Sequence, residues 1–380
     1  MQLCFILGTA AELIKVYPLI QIAAERGHAV RVLPTGQSRE NFLMQFRDFG
    51  LKESLLAPML SSQGDLEHAR SALSWFARGL MTRRKMFHAR FPAGDTVKNK
   101  NRSFVVVHGD TLSTFIGAWL GRRAGLAVVH IEAGLRSGGG LFHPFPEEIT
   151  RRLVSRLAEW HMAPDMRAEE NLRRARVSGQ IVCTQGNTLM DAVQRVAPLA
   201  DAAATAPQIP FALANVHRFE NLNSPTRWKK IVETVCKAAA HRKVIFVMHP
   251  QTRQRLRSDT DARERFEAVG VELRDRMPFT GFISLLKRAE FLISDGGSNQ
   301  EECSYIGKPC LILRQSSERQ EGLDTCCVLS RFHDRLIDSF LANPEAYERT
   351  PLFHAVSPSQ KILEALEFHA DSPLTDVAER

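Results

Sequence analysis

The 380-residue sequence predicts an α/β protein made of two Rossmann-like, doubly wound lobes that face each other across a cleft. Two patterns support this prediction. Short apolar runs alternate with longer amphipathic stretches, which is typical of parallel strands connected by helices. This alternation occurs twice, in residues 1–184 and again in 185–358, and a last amphipathic stretch within 359–380 is expected to rejoin the first lobe.

The first half of the chain contains four apolar runs that predict buried parallel strands. They lie at residues 3–7, 29–34, 103–107 and 127–131. Stretches 12–26 and 114–123 have the spacing of amphipathic helices, and Gly27 follows the first of them, where helices often end on glycine. We therefore expect a parallel sheet with right-handed helical crossovers.

The second half repeats the pattern after a Gly186-Asn187 turn, so the lobes are expected to join near residues 183–187. Its predicted strands are 211–214, 244–248, 291–294 and 310–314. Its predicted helices are 227–240, 283–289 and 300–306, and a terminal helix is predicted at 359–369.

The composition favours a globular enzyme with an anionic ligand. The formal net charge is +8, which attracts anions without specifying their kind. A basic run at 81–102 has few aromatic residues, so we interpret it as a solvated surface and expect no nucleic-acid partner. Seven cysteines without a CxxC pair indicate a reducing compartment. No signal peptide and no membrane span are recognisable, and we expect a cytoplasmic protein.

Polar residues follow the predicted strands of the first lobe, where open parallel sheets bind ligands. Gly8-Thr9 after the first strand is either a phosphate-binding turn or only a tight turn, and Lys15 is positioned to meet an anion or solvent. Asp110 and Glu132 follow two later strands, and Glu147 comes shortly afterwards. Clustered carboxylates raise one another's pKa, which suits general acid–base catalysis.

A structural role for these three carboxylates is the alternative. They could form ion pairs with neighbouring arginines, and Glu147 behind a proline could cap a helix. The candidate ion-pair partners are Arg136, Arg151 and Arg152.

Two segments of the second lobe are candidates for binding a nucleotide diphosphate. His217 and Arg218 follow a predicted strand, and arginine is a fixed cation that suits a diphosphate. His249 occupies the same position after the next strand. Gly297 and Ser298 precede a helix whose N-terminus could hold an anion, and Glu302 could accept ribose hydroxyls or simply cap the helix.

Seven segments, in order along nearly the whole chain, resemble the UDP-N-acetylglucosamine 2-epimerase family. They are GTAAELIK, HGDTLST, HIEAGLRS, PFPEEITRR, QGNTLMDAV, NVHRFEN, and SDGGSNQEECSYIGKP with RQSSERQE. The resemblance implies the GT-B architecture, a homodimer and a role in making cell-surface polysaccharide precursors. It also implies inversion at C2 of a UDP-2-acetamido sugar through UDP elimination to a 2-acetamidoglucal and re-addition, without nicotinamide or metal.

The resemblance implies a role for each candidate residue. The acid–base carboxylates would be Asp110, Glu132 and Glu147, with His217 near the sugar and diphosphate. Phosphate would be bound or stabilised by Lys15, Arg151 and Arg218, and the nucleotide by Gly297, Ser298 and Glu302. The similarity is closer to the non-hydrolysing branch. A hydrolysing 2-epimerase, a GT-B glycosyltransferase and a non-catalytic nucleotide-sugar sensor are the alternatives.

The sequence departs from the family pattern at four places. Ala10-Ala11 replaces Arg-Pro, which removes a cation on the phosphate side, and DGGS replaces DSGG, which moves the hydroxyl to Ser298. The loop before Pro144 contains three glycines, at 138–140. Gln37-Ser38 replaces the Gln-His expected near a regulatory substrate site, so activation by substrate does not follow from the resemblance.

Overall fold

The computed structural model describes residues 1–37, 39–58, 102–136, 147–198, 207–317, 319–353 and 356–371. Ser38, the glycines at 138–140 and all but the last residue of the basic run at 81–102 lie outside these ranges. Backbone contacts divide the chain into a first lobe, Met1–Ala192 with Ala355–Arg380, and a second lobe, Val193–His354.

Each lobe is built around one six-stranded sheet. The strands are β1 Gln2–Leu7, β2 Ala29–Pro34, β3 Ser103–His108, β4 Ala127–Ile131, β5 Trp160–Ala163, β6 Gln180–Cys183, β7 Phe211–Asn215, β8 Lys243–Met248, β9 Glu272–Asp275, β10 Leu292–Ser294, β11 Cys310–Ile312 and β12 Cys327–Leu329. The orders are β2-β1-β3-β4-β5-β6 and β12-β11-β10-β7-β8-β9. Every pair of neighbouring strands among the described residues is parallel, so the carboxyl ends within each sheet lie along one edge.

Helices connect the strands in both lobes. They are α1 Ala10–Glu25, α2 Arg39–Asp48, α3 Leu112–Ala124, α4 Glu147–Leu157, α5 Met166–Arg174, α6 Leu189–Val196, α7 Phe219–Leu222, α8 Pro225–Ala239, α9 Pro250–Arg257, α10 Thr260–Ala268, α11 Phe279–Arg288, α12 Gly297–Ile306, α13 Asp334–Ala342 and α14 Pro358–Asp371. Helix α14 packs on α1, and Arg26 is 2.7 Å from Glu367. Within the described ranges, no helix is both long and apolar enough to cross a membrane.

The predicted α/β class with two doubly wound sheets is confirmed, and each strand predicted from an apolar run is present within two residues of its predicted ends. Four strands were missed: β5, β6, β9 and β12. They have only three or four residues, and β9, with the sequence ELRD, lies at the edge of its sheet and carries three charges. Such short or charged segments lack the apolar run that identifies a buried strand.

Two glycines let α3 pack directly on the first sheet. A Cβ on Gly117 would lie 2.7 Å from Cγ1 of Val107 and 3.0 Å from Cβ of Ile6, and a Cβ on Gly121 would lie 2.8 Å from Cγ2 of Val128. These strand side chains belong to a closely packed core that cannot shift freely. The close approach fixes α3 and with it the loop from β3 that carries Asp110.

Replacing Gly117 by alanine should therefore destabilise the protein, by about 1–3 kcal/mol, because the methyl group overpacks the interface with β1 and β3. Thermal unfolding followed by circular dichroism measures the effect as a lower Tm. Gly281→Ala in α11 is the control, because its Cβ would be 3.7 Å from Sδ of Met277, an ordinary contact, and alanine favours helix. An unchanged Tm for Gly117→Ala would contradict the packing argument.

Candidate functional site

The backbone N–H groups of the turn after β1 are hydrogen-bonded to a carboxylate of the protein itself, that of Glu12. Oε2 of Glu12 accepts hydrogen bonds from the backbone N–H groups of Gly8 at 2.7 Å and Thr9 at 2.8 Å. Its Oε1 accepts one from Oγ1 of Thr111 at 2.7 Å. Burial raises the pKa of Glu12, while these hydrogen bonds act in the opposite direction. Because Glu12 fills the donors that a phosphate would use, the structure favours a tight turn over a phosphate-binding turn.

Glu132 lies immediately after β4 and is the most constrained of the candidate carboxylates. Its backbone has a φ of 66°, a left-handed conformation that costs a non-glycine residue on the order of 1–2 kcal/mol. Nζ of Lys15 lies 3.1 and 3.0 Å from its two oxygens, and Nδ2 of Asn187 donates at 3.0 Å. Nε2 of His108 lies 3.2 Å away. Backbone strain of this kind persists where several interactions together hold the residue in place, which is common at functional sites.

A second ion pair joins Asp110 to the helix that begins at Glu147. Nη2 of Arg151 lies 2.5 Å from Oδ2 of Asp110. Glu147, the first residue of α4, is one turn before Arg151 and therefore on the same helix face. On the other side, a Cβ on Gly109 would lie 3.8 Å from Oε2 of Glu132. Asp110 and Glu132 thus lie at the carboxyl ends of the neighbouring strands β3 and β4, and Glu147 lies on the helix whose Arg151 pairs with Asp110.

Glu148 organises the arginines beside this cluster. It is 2% exposed and lies 3.1 Å from Nε of Arg152, 3.5 Å from Nε of Arg136 and 3.6 Å from Nη1 of Arg151. Burial lowers the pKa of Arg136, while Glu148 opposes that shift. The structure therefore contains ion pairs with the three arginines that the sequence analysis considered. Most of them are formed by Glu148 and not by the three candidate carboxylates.

A buried histidine supports the loop that presents Asp110. Nε2 of His130 donates to the carbonyl oxygen of Gly109 at 2.8 Å, and the side chain is fully buried. Burial lowers the pKa of His130 to about 4, so the ring is neutral at pH 7. The neutral tautomer with a proton on Nε2 is the one that this hydrogen bond requires.

In the second lobe, Asp295 holds the loop after β7. Its side chain is completely buried, and Oδ1 accepts from the backbone N–H of His217 at 2.9 Å. Oδ2 accepts from the backbone N–H of Arg218 at 3.0 Å and from Nδ2 of Asn221 at 2.9 Å. The carboxylate therefore fixes the backbone of both residues that were predicted to bind the diphosphate.

His217 stacks on His249, with ring centroids 4.3 Å apart. Burial lowers the pKa of His217, and the nearby Asp295 carboxylate opposes that shift. Burial also lowers the pKa of His249. Both rings are therefore neutral at pH 7, and Arg218, 3.2 Å from Oε1 of Glu220, is the permanent cation beside them.

The N-terminus of α12 lies next to this histidine pair. Its N-cap residue is Gly296, and no side chain caps the helix. A Cβ on Gly296 would lie 2.8 Å from Oδ1 of Asn299 and 3.0 Å from Cε1 of His217, which explains glycine at this position. Gly297 and Ser298 are half-buried in the first turn, and Nδ2 of Asn299 donates to Oε2 of Glu302 at 2.8 Å. The turn places backbone donors beside an oriented carboxylate.

A family model described as UDP-N-acetylglucosamine 2-epimerase matches residues 21–337 of the chain. The chain belongs to the UDP-N-acetylglucosamine 2-epimerase family. A family member from Salmonella borreze is 30% identical over 346 residues, covering 85% of this chain and 84% of its own. The resemblance recognised from the seven sequence segments is confirmed.

Solved structures of the family share the fold. The UDP-GlcNAc 2-epimerase from Neisseria meningitidis, bound to UDP-GlcNAc, matches with a TM-score of 0.78 and 25% identity over 97% of this chain and 100% of its own. The Methanocaldococcus jannaschii enzyme, in complex with UDP-GlcNAc and UDP, matches with a TM-score of 0.76, the same identity and the same coverage. The GT-B class expected from the family resemblance is therefore confirmed.

The sequence analysis did not single out the residues that position other side chains or loops of the candidate site. They are Glu12, His108, His130, Glu148, Asn187 and Asp295. In the sequence, Asp295 stands in the same segment as the glycine turn that follows it, and Glu148 stands next to Glu147, so neither drew attention by itself. All of them except Glu148 contact residues from a distant part of the chain, and the positions of His108 and Asp295 directly after predicted strands could have indicated their importance.

Protonation of His130 should contribute to acid destabilisation. Above pH 6.5 the ring is neutral in both states. Between pH 6.5 and about 4 the unfolded state takes up a proton and the folded state does not, so stability falls as pH falls. From pH 6.5 to 5 the loss is about 2 kcal/mol. His130→Gln should show a smaller loss in unfolding free energy between pH 7 and pH 5. His241→Gln, at an exposed position, is the control, and identical pH dependence in all three proteins would refute the assignment.

Proposed function

We propose that the protein is a non-hydrolysing 2-epimerase that inverts C2 of UDP-GlcNAc or a related UDP-2-acetamido sugar. The positions of Asp110 and Glu132 at the carboxyl ends of neighbouring strands carry this proposal, with Glu147 on the helix whose Arg151 pairs with Asp110, because inversion needs one group to remove a proton and another to return it. Membership of the family and the UDP-GlcNAc bound by the Neisseria meningitidis relative support the substrate class.

The proposed reaction has two balanced steps. A carboxylate takes the C2 proton, the electron pair of that bond forms a C1–C2 double bond, and the C1–O bond breaks with release of UDP. A UDP oxygen then attacks C1 of the 2-acetamidoglucal, and a carboxylic acid delivers a proton to the opposite face of C2. No water is consumed, and the configuration at C2 alone is inverted.

In this scheme, the groups around the first-lobe carboxylates orient them and stabilise their charge. Lys15 and Asn187 orient the Glu132 carboxylate and stabilise its negative charge, which a buried carboxylate requires. Arg151 does the same for Asp110, which is more exposed, with 26% of its side chain accessible. Glu147, with its Oε2 buried, is the third candidate for proton transfer.

The second lobe is assigned to the nucleotide. Neutral His217 and the cation of Arg218 would face the diphosphate, whose developing charge must be stabilised as UDP departs. Backbone donors at Gly297 and Ser298 suit a phosphate, and Glu302, oriented by Asn299, suits the ribose hydroxyls. A role in supplying polysaccharide precursors fits an activated 2-acetamido sugar product. The homodimer and the cytoplasmic location stay predictions from the sequence.

Incubation with UDP-GlcNAc in deuterated water tests the reaction. Proton NMR should show deuterium at C2 in both epimers, and phosphorus NMR should show that UDP-sugar persists. Free 2-acetamido sugar with stoichiometric UDP would instead indicate a hydrolase. UDP release only with an added acceptor would indicate a glycosyltransferase, and binding of UDP-sugars without exchange would indicate a sensor.

Asp110→Asn should reduce C2 exchange by about 10²-fold or more, because asparagine keeps the shape of the side chain but cannot transfer the proton. UDP affinity should stay within about twofold of the wild-type value, since the groups assigned to the nucleotide are on the other lobe. NMR exchange rates and calorimetric titration with UDP measure the two effects. Asp261→Asn, with 83% of its side chain exposed on α10, is the matched control. Wild-type exchange in Asp110→Asn would overturn the acid–base assignment.

A further inference from the structure

Four adjacent strands of the second lobe deliver polar groups to one edge of the sheet. His217 follows β7 by two residues, His249 follows β8 directly, and Gly296 lies two residues after β10. Arg276 directly follows β9, the edge strand beside β8. Met248 pairs with Asp275 in the sheet register, so His249 and Arg276 are the next residues beyond that pair on neighbouring strands. Sequence analysis named His217, His249 and the start of the helix after β10, but not Arg276, because β9 has no apolar run.

The neighbours of Arg276 have ionic partners. Arg274 lies 2.5 Å from Oε1 of Glu272, and Asp275 is ion-paired with Arg253. Arg276 itself has no hydrogen bond or ion pair with any other described residue, although it is half-buried. A partly desolvated guanidinium without a partner is costly, and an anionic ligand would offset that cost.

The charges around Arg276 favour an anion. Burial lowers the pKa of His217 and His249, and the positive charge of Arg276 adds to that shift. Asp295, the buried carboxylate of this region, is occupied by two backbone N–H groups and Asn221. Glu220 is 3.2 Å from Arg218. With the uncapped start of α12 beside His217, the region has surplus donors and positive charge.

The turn after β1 carries no arginine at position 10, where the family pattern has one. Alanine occupies position 10, Glu12 fills the donors of the turn after β1, and Lys15 is engaged by Glu132. On the basis of the proposed function, we infer that Arg276 contacts the diphosphate of the bound UDP-sugar and supplies the phosphate-side cation that this chain lacks at position 10. Arginine matches phosphate oxygens with two parallel N–H donors.

Calorimetric titration of the full-length protein with UDP and with uridine tests this inference. Arg276→Gln should weaken UDP binding by about 10- to 100-fold, the usual effect of removing a charge-assisted hydrogen bond. Uridine, which has no phosphate, should bind both proteins with affinities within about twofold. Arg276→Lys should recover part of the loss because it restores the charge without the planar fork. Arg274→Gln on the same strand is the matched control and should bind UDP as the wild type does.

Two results would overturn the inference. Equal losses for UDP and uridine would assign Arg276 to the base or ribose, and unchanged UDP affinity in Arg276→Gln would show that the diphosphate does not use it. Circular dichroism melting curves establish that each variant is folded. Failure of the proposed reaction is a separate result, since wild-type protein would then bind UDP but exchange no C2 deuterium with any UDP-2-acetamido sugar.

Discussion

The buried ion pair between Lys15 and Glu132 is the interaction on which the first lobe's site depends. It connects α1 to the end of β4, and the Glu132 carboxylate also accepts from Asn187 after β6 and lies beside His108 at the end of β3. Removing one partner would leave an uncompensated buried charge, which costs about 3–5 kcal/mol. The same contacts surround Glu132, whose backbone is left-handed, so buried polar interactions offset the strain at this residue.

The second lobe also contains a buried carboxylate, but different donors stabilise it. Asp295 is completely buried and has its two oxygens satisfied by backbone and amide donors rather than by a cation. Because backbone and amide donors satisfy Asp295, this buried carboxylate needs no arginine as a partner. It also fixes the position of the His217 ring, whose Nδ1 lies 3.6 Å from Oδ1 of Asp295.

The sequence predicted those features of the fold and the candidate site that depend on local residue patterns. Asp110, Glu132 and His217 were found because apolar strands precede them and parallel strands end at a common edge. Glu148 and Asn187 were not, because no periodicity records their contacts: Asn187 donates to Glu132, 55 residues earlier, and Glu148 bridges Arg136 and the arginines of its own helix. Arg276 was missed for another reason, since its strand is charged and lies at the sheet edge. The phosphate interpretation of Gly8-Thr9 lost its support because Glu12 uses the same donors.

The contrast between two helix N-termini explains how the chain tolerates alanine at position 10. Both α1 and α12 begin just beyond the carboxyl end of a central parallel strand, and both present backbone N–H groups there. At α1 the capping box of Thr9 and Glu12 satisfies them internally, so the turn keeps its shape without a bound anion or an arginine. At α12 glycine is the N-cap and no side chain makes a capping hydrogen bond. Anion binding is therefore favoured at the second helix alone, and a cation serves it best from the same lobe, where Arg276 follows β9.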